Sequence, residues 1–198
     1  MKDPDLLRAV KPIVEVFDEL AIPYYIGGSI ASSVYGMARS TIDVDFVADI
    51  EPPHIMTLID RLKKNYYIDE MMIANAIKRG SSFNLIHLET SIKIDVFIPR
   101  DQIYHHTAMD RRHRDTLFEE NTTTAVYFCS PEDIIINKLQ WYEAGGGVSE
   151  RQWLDVSGVI KVQAESLDTT YLLRWSKYLG LHGLLARAFE EAGVSMQS

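Results

Sequence analysis

The sequence predicts an α/β (α+β) fold: a mixed β-sheet flanked by helices, followed by a C-terminal helical bundle. Three observations lead there. Up to about residue 129, short segments of period-2 hydrophobicity are interspersed with segments of helical period. The period-2 pattern stops after Phe128. From Ser130 onward each segment has helical period, with its own start and stop signals. The expected organisation is an α/β domain over 1–129 and a helical region over 130–198 packed on it. A chain of 198 residues is long enough to bury a core without disulfides or structural metal.

The elements follow in order. Leu6, Leu7, Val10, Ile13, Val14, Phe17 and Leu20 recur at helical spacing, so about 5–20 is an amphipathic helix, and Pro23 ends it. Tyr24-Tyr25-Ile26 is a short strand closed by Gly27-Gly28, and 29–35 is a short helix stopped by Gly36. Residues 41–48 alternate apolar and acidic side chains, a strand pattern. Pro52-Pro53 open a helix to about 64. Residues 66–68 form a strand and 69–79 a helix, and 82–88 with 92–98 form a hairpin turning near Glu89-Thr90. Residues 100–114 are polar and of mixed sign, helix or loop, and 125–128 is the last strand. Ser130-Pro131-Glu132-Asp133 then starts a helix, with Pro at its first position and acids in its first turn. It runs to Ala144, where Gly145-Gly146-Gly147 ends it. Ser149 caps a helix over 150–163, and two more span 168–179 and 182–192, stopped by Gly180 and Gly193.

Composition excludes several classes. Net charge is −8, so the chain is not expected to coat DNA or RNA non-specifically, which requires neutralising phosphates with Lys and Arg. No apolar run reaches the roughly 18–20 residues of a membrane span. The N-terminus Met1-Lys2-Asp3-Pro4-Asp5 lacks the basic and apolar regions of a signal peptide. The single cysteine, Cys129, has no internal disulfide partner, and no Cys/His spacing suits zinc. A cytoplasmic setting is expected. There is no G-x-x-x-x-G-K-[ST] loop, no G-x-S-x-G and no H-E-x-x-H.

Two neighbouring features point to chemistry. Gly27-Gly28-Ser29 joins a strand to a helix. Glycines allow a tight turn and close approach to a ligand, the helix start offers free N–H groups to an anion, and Ser29 adds a hydroxyl. Taken alone, it is also an ordinary turn. Asp43-Val44-Asp45-Phe46 follows, and period-2 geometry puts Asp43 and Asp45 on one face. A solvated edge strand tolerates two such acids. The alternative is a divalent cation, because Mg²⁺ takes oxygen ligands, usually one or two carboxylates plus substrate phosphates. A third acid, Asp95, lies in the strand pattern Ile92–Ile98, sharing a face with Lys93 and Phe97. It is either half of a surface Lys–Asp pair or a third ligand. Three converging carboxylates suit two divalent ions about 4 Å apart and in-line displacement at phosphorus.

Gly27-Gly28-Ser29, then Arg39-Ser40-Thr41-Ile42-Asp43-Val44-Asp45, with Asp95 on a later strand, resembles the polymerase-β-type nucleotidyltransferase superfamily. Its pattern is a Gly-Gly/Ser turn, a gap, an acid-x-acid strand and a more distant third acid. Ser130–Leu139 and Ser149–Val156 are similar to the AbiEii-like nucleotidyltransferase toxin group and its uncharacterised bacterial relatives. The resemblance covers about 5–195 and implies a nucleotidyltransferase-type sheet.

The resemblance also implies residue roles. Gly28 and Ser29, with Gly27 beside them, would hold a nucleoside triphosphate. Arg39, just before the acid strand, either steadies that strand or reaches phosphate, or is an ordinary surface arginine. Asp43 and Asp45, with Asp95, would bind Mg²⁺ or Mn²⁺. Lys138 would contact phosphate or the transferred nucleotide, and Arg151 and Asp155 are the nearest matches to the basic and acidic residues that complete the toxin-group site. The chain departs from that group at Trp153-Leu154, where toxins tend to carry Lys-Asp. The implied activity moves a nucleotide monophosphate from an NTP to an acceptor hydroxyl on RNA, protein or a small molecule. The alternative is a non-catalytic nucleotide-binding or toxin–antitoxin-like interaction protein on the same fold.

Four further features are read as structural. Arg100, Arg111, Arg112 and Arg114, with His105, His106 and His113, form a basic cluster partly offset by Asp101, Asp110 and Asp115, and are expected to be a solvated face rather than the alternative, an acceptor-binding patch. Trp141, Tyr142, Trp153, Trp175 and Tyr178 recur at helical spacing and are expected in the core. Gly145–Gly147 follows a helix rather than a strand and is expected to be a flexible turn. Lys161 is expected to lie away from any site.

Overall fold

The computed structural model describes residues 4–38, 43–99, 103–117 and 124–196. The chain divides into two units, one of residues 1–27 and 40–128, the other of residues 28–39 and 129–198.

All seven strands of the described residues belong to the first unit. They are β1 (Tyr24–Ile26), β2 (Val44–Ala48), β3 (Tyr66–Tyr67), β4 (Ser82–His87), β5 (Lys93–Phe97), β6 (His113–Leu117) and β7 (Thr124–Phe128). They form one sheet in the order β3-β4-β5-β2-β1-β7-β6. The β2–β5 and β1–β7 pairs are parallel and the others antiparallel, so the sheet is mixed, as expected.

Alternation gives the central strands two unlike faces. Val44, Phe46 and Ala48 of β2, Ile94 and Val96 of β5, and Phe83 and Leu85 of β4 are buried. Helix α1 (Pro4–Glu19) helps cover that side. Phe17 stacks on Tyr24 and Phe46 with ring centroids 5.4 and 5.7 Å away, and the Tyr66 hydroxyl donates to the Ala9 carbonyl at 3.0 Å. Pro12 sits inside α1, where it removes one backbone hydrogen bond. The helix persists because Leu6, Ala9, Val10, Ile13, Val14 and Phe17 are buried on both sides of it. A 3-10 turn (Pro52–His54), α3 (Ile55–Leu62) and α4 (Glu70–Arg79) follow. Asp69 caps α4 by accepting from the Met72 N–H, and Gly80 ends it in the left-handed conformation at φ 55°.

The opposite face carries Asp45 and Val47 of β2, Lys93, Asp95 and Phe97 of β5, and Asn84 and Ile86 of β4, each at least partly exposed. The stretch 100–114, expected to be helix or loop, contains α5 (Ile103–Asp110) and the start of an unexpected strand, β6. β6 is the sheet's outermost strand on its side, and Arg114, Asp115 and Thr116 are exposed. An edge strand of polar residues has no period-2 hydrophobic signature, and charged edge residues guard against pairing with other chains.

The second unit contains α2 (Gly28–Tyr35), α6 (Pro131–Ala144), α7 (Glu150–Gln163), α8 (Thr169–Tyr178) and α9 (His182–Ala192). The four helices after Ser130 were expected, as was the lack of a strand there among the described residues. Ser130, Ser149 and Asp168 each cap the helix they precede. The apolar positions Ile134, Ile135, Leu139, Val156, Val159, Ile160, Leu172, Leu185 and Phe189 are fully or almost fully buried. Tyr142 and Trp175 are buried as expected, but Trp141 and Tyr178 are exposed, because they fall on the outer faces of α6 and α8.

Helix α2 packs on α6 and α7. The Gln163 amide donates to the Tyr35 carbonyl at 3.0 Å, and the Tyr35 hydroxyl donates to the Cys129 carbonyl at 2.8 Å. Just past α2, a Cβ on Gly36 would lie 2.9 Å from the Val159 backbone nitrogen and 3.0 Å from the Gly158 carbonyl carbon. Backbone cannot give way as a flexible side chain does. Gly36→Ala is therefore expected to destabilise the protein by about 1–3 kcal/mol through overpacking, as measured by urea unfolding.

Candidate active site

β2 and β5 position the acidic group. Their parallel register sets Asp45 directly opposite Asp95, between Val44↔Ile94 and Phe46↔Val96. Adjacent strands lie about 4.8 Å apart, so the two carboxylates rise side by side from one face. Asp43 comes just before β2, two residues from Asp45, and is exposed; the strand expected over 41–48 begins at Val44. Asn84 of β4 pairs with Asp95 on its other side. The Gly27 N–H donates to the Asp45 carbonyl at 2.9 Å, so the glycine turn begins beside the acid strand. A row of Asn84, Asp95, Asp45 and Gly27 therefore crosses four neighbouring strand positions.

Lys93 stands among these acids. Its ammonium donates to Asp95 Oδ2 at 2.7 Å, with the Lys93 side chain 47% exposed and that of Asp95 21%. The hydrogen bond to Asp95 holds Lys93 above the ordinary lysine range, and the charges of Asp95, Asp43 and Asp45 add to the effect against a smaller opposing cost of burial. The surface pair with Lys93, one of the two expectations for Asp95, is present, and the register sets Asp95 opposite Asp45. Among the described residues, no three His, Cys, Asp or Glu side chains are gathered into a ready-made metal cage. The donor chemistry still fits Mg²⁺, a hard ion that needs only one or two carboxylates when phosphates and water complete its shell.

Arg39 lies outside the described residues. Gly28 opens α2 with φ 56°, a conformation that glycine adopts without strain. The helix following it is tied down by two side chains. Ser32 Oγ donates to the Gly28 carbonyl at 2.7 Å and Ser33 Oγ to the Ser29 carbonyl at 2.9 Å.

In the second unit, Lys138 of α6 and Asp155 of α7 form a buried ion pair, Nζ to Oδ2 at 2.8 Å. Both side chains are 6% exposed. Arg151, one turn before Asp155, is exposed. Trp153 is fixed at its edge and face, its Nε1–H donating to Glu191 Oε2 at 2.7 Å and the Arg187 guanidinium lying 4.4 Å from its ring centroid.

A second buried polar group escaped the sequence analysis. Asp133, fully buried, accepts from Ser130 Oγ at 2.7 Å and from the Tyr171 hydroxyl at 2.7 Å. Glu132, also buried, accepts from the Asp168 N–H at 2.8 Å. Read from sequence, the two acids complement the dipole at the start of α6. In the structure they also join that start to α8. The available signal was their position directly before the buried run Ile134-Ile135-Ile136. Asp133 and burial also push the Cys129 thiol up, burial contributing most, so this cysteine is a buried apolar residue rather than a nucleophile.

No protein-family model matches the sequence, and no curated protein matches it. Solved structures do. The antibiotic-resistance factor ANT(2'')-Ia is similar at a TM-score of 0.54 and 15% identity, over 94% of this chain and 100% of that one. An antigenic nucleotidyltransferase-like protein from Paracoccidioides brasiliensis gives 0.49 and 18%, over 94% and 93%. The lincomycin-bound lincosamide antibiotic adenylyltransferase LnuA gives 0.45 and 15%, over 81% and 98%. At these identities the likeness is one of fold, and ANT(2'')-Ia is the match that establishes it. The expected class, a mixed sheet flanked by helices with a helical C-terminal region, is the fold found. No helix of the described residues is long and apolar enough to cross a membrane.

Proposed function

We propose that this chain is a divalent-cation-dependent nucleotidyltransferase of the polymerase-β-type superfamily, related to the AbiEii-like group and acting in the cytoplasm. The observation that carries this reading is the placement of Asp45 opposite Asp95 on an exposed sheet face, with Asp43 two residues away and the Gly27 turn alongside. Such a face offers oxygen donors to a metal–triphosphate complex. The similarity in fold to the antibiotic-resistance factor ANT(2'')-Ia is consistent with it.

In this reading Asp43 and Asp45 hold Mg²⁺ or Mn²⁺, which when bound would offset the triphosphate's charge. The resemblance assigns the phosphates to Gly28 and Ser29, and phosphate or the transferred nucleotide to Lys138. An acceptor hydroxyl oxygen forms a bond to the α-phosphorus while the bond from that phosphorus to the bridging oxygen breaks. Pyrophosphate leaves with the electron pair, and Asp95 accepts the hydroxyl proton. The rate arises mainly from positioning and charge stabilisation.

The test is incubation with each α-labelled NTP, Mg²⁺ and a cell extract. Label should enter one fraction (RNA, protein or small molecule) and require Asp43 and Asp45. Label absent from every fraction, or equal with the Asp43→Asn/Asp45→Asn double variant, would overturn the assignment. Nucleotide binding without transfer would favour the non-catalytic alternative, for which the exposed Leu154 and the tethered Trp153 are the relevant departures.

A further inference from the structure

Among the described residues, Lys93 is the charged residue on the acidic face that the proposed reaction does not use. Those residues give the face three carboxylates and one ammonium, and the ammonium lies on the same strand as Asp95, two residues away, bonded to it at 2.7 Å. Across the parallel register it lies diagonal to Asp45, which is opposite Asp95. It is bonded to Asp95 and within electrostatic reach of Asp43 and Asp45. Its remaining neighbours on the face are no rivals for the charge: Ile86 is its register partner on β4, and Tyr67 of β3 lies beyond Ile86. Half-exposed and flanked by apolar side chains, the lysine stem has open space to swing into solvent.

We propose that Lys93 is a resident counter-ion that competes with the divalent cation for Asp95 and so gates cation binding. The inference rests on the proposed function of the same face. In the cation-free protein, Lys93 relieves the repulsion among Asp43, Asp45 and Asp95. A bare cation must displace the ammonium and meets its like charge. A cation arriving on a triphosphate brings phosphate oxygens that give the displaced ammonium a new partner. Cation and nucleotide therefore load together. Lys93 is thus a positioning residue, acting through Asp95.

The experiment is Mn²⁺ binding by electron paramagnetic resonance without nucleotide, together with melting in EDTA and in Mn²⁺. The proteins are wild type, Lys93→Met, Lys93→Gln, Lys93→Arg and Asp45→Asn. Lys93→Met and Lys93→Gln should bind Mn²⁺ about two- to fivefold tighter than wild type, the scale set by losing one partly exposed ion pair. They should melt below wild type in EDTA and recover in Mn²⁺. Lys93→Arg keeps the charge and should behave as wild type. Unchanged or weaker Mn²⁺ binding in both neutral variants, while Asp45→Asn loses binding, would overturn the role of Lys93 alone. Mn²⁺ binding and Mn²⁺–ATP binding unchanged in Asp45→Asn would overturn the assignment of the face itself.

Discussion

Asp45→Asn is expected to lower nucleotide transfer by roughly two to three orders of magnitude, the scale seen when one preorganised electrostatic contact to a developing charge is removed. The side chain would keep its shape and one oxygen but lose the charge that draws a cation to the strand. Asp45 is the acid with a partner on each side, Asp95 across β5 and the Gly27 turn across β1, so no neighbouring carboxylate can shift into its place. Asp43→Asn should show a smaller loss, because Asp43 precedes β2 and is exposed. Stability should move the other way. Without a cation, removing one of three clustered charges relieves repulsion, so Asp45→Asn in EDTA should melt at or above the wild-type temperature. Steady-state transfer of label and thermal melting check the two halves. A variant that melts well below wild type and loses activity would show only that Asp45 is structural.

Much of this face was legible because a strand buried on one side advertises its register. Val44, Phe46, Ile94 and Val96 are apolar at alternate positions, and burying them leaves Asp45 and Asp95 pointing the same way. What the alternation does not encode is which strands are neighbours. The pairing of β2 with β5 is set by non-local contacts in the order β3-β4-β5-β2-β1-β7-β6, with nearly fifty residues between the two strands' starts. β6 was illegible for a different reason: Arg114, Asp115 and Thr116 satisfy the ladder with their backbones and leave their side chains in water, so nothing in their hydropathy marks a strand. The fate of Lys93 was half legible. Sequence placed it on the face of Asp95, but only the structure shows its ammonium on the carboxylate, beside the two further acids. The helical region behaved similarly. Its start and stop residues gave four helices, whereas burial of Glu132 and Asp133 depends on Asp168 and Tyr171, far away in sequence, supplying donors.

Lys138→Ala is expected to cost about 3–5 kcal/mol of stability, the penalty for leaving one member of a buried ion pair without its partner. An exposed pair would cost about 1 kcal/mol or less. The geometry decides between these scales. Each side chain is 6% exposed, the contact is 2.8 Å, and Ile134, Ile135, Leu139 and Val159 pack the helices on which the pair sits. Asp155→Ala should cost a similar amount, since it strands the ammonium instead. The double variant Lys138→Met/Asp155→Leu should recover most of the loss, because apolar groups of similar volume need no desolvated charge. Lys161→Ala, at an exposed position of α7, should change stability by no more than about 0.5 kcal/mol. Urea unfolding of wild type, Lys138→Met, Asp155→Leu and the double variant gives the coupling energy of the pair directly. The stable double variant then separates the two uses of Lys138. If it folds like wild type but binds Mg–NTP much more weakly, Lys138 serves the nucleotide as proposed. If it folds and binds like wild type, the pair is only a bolt between α6 and α7, and the similarity to the toxin group does not extend to this lysine.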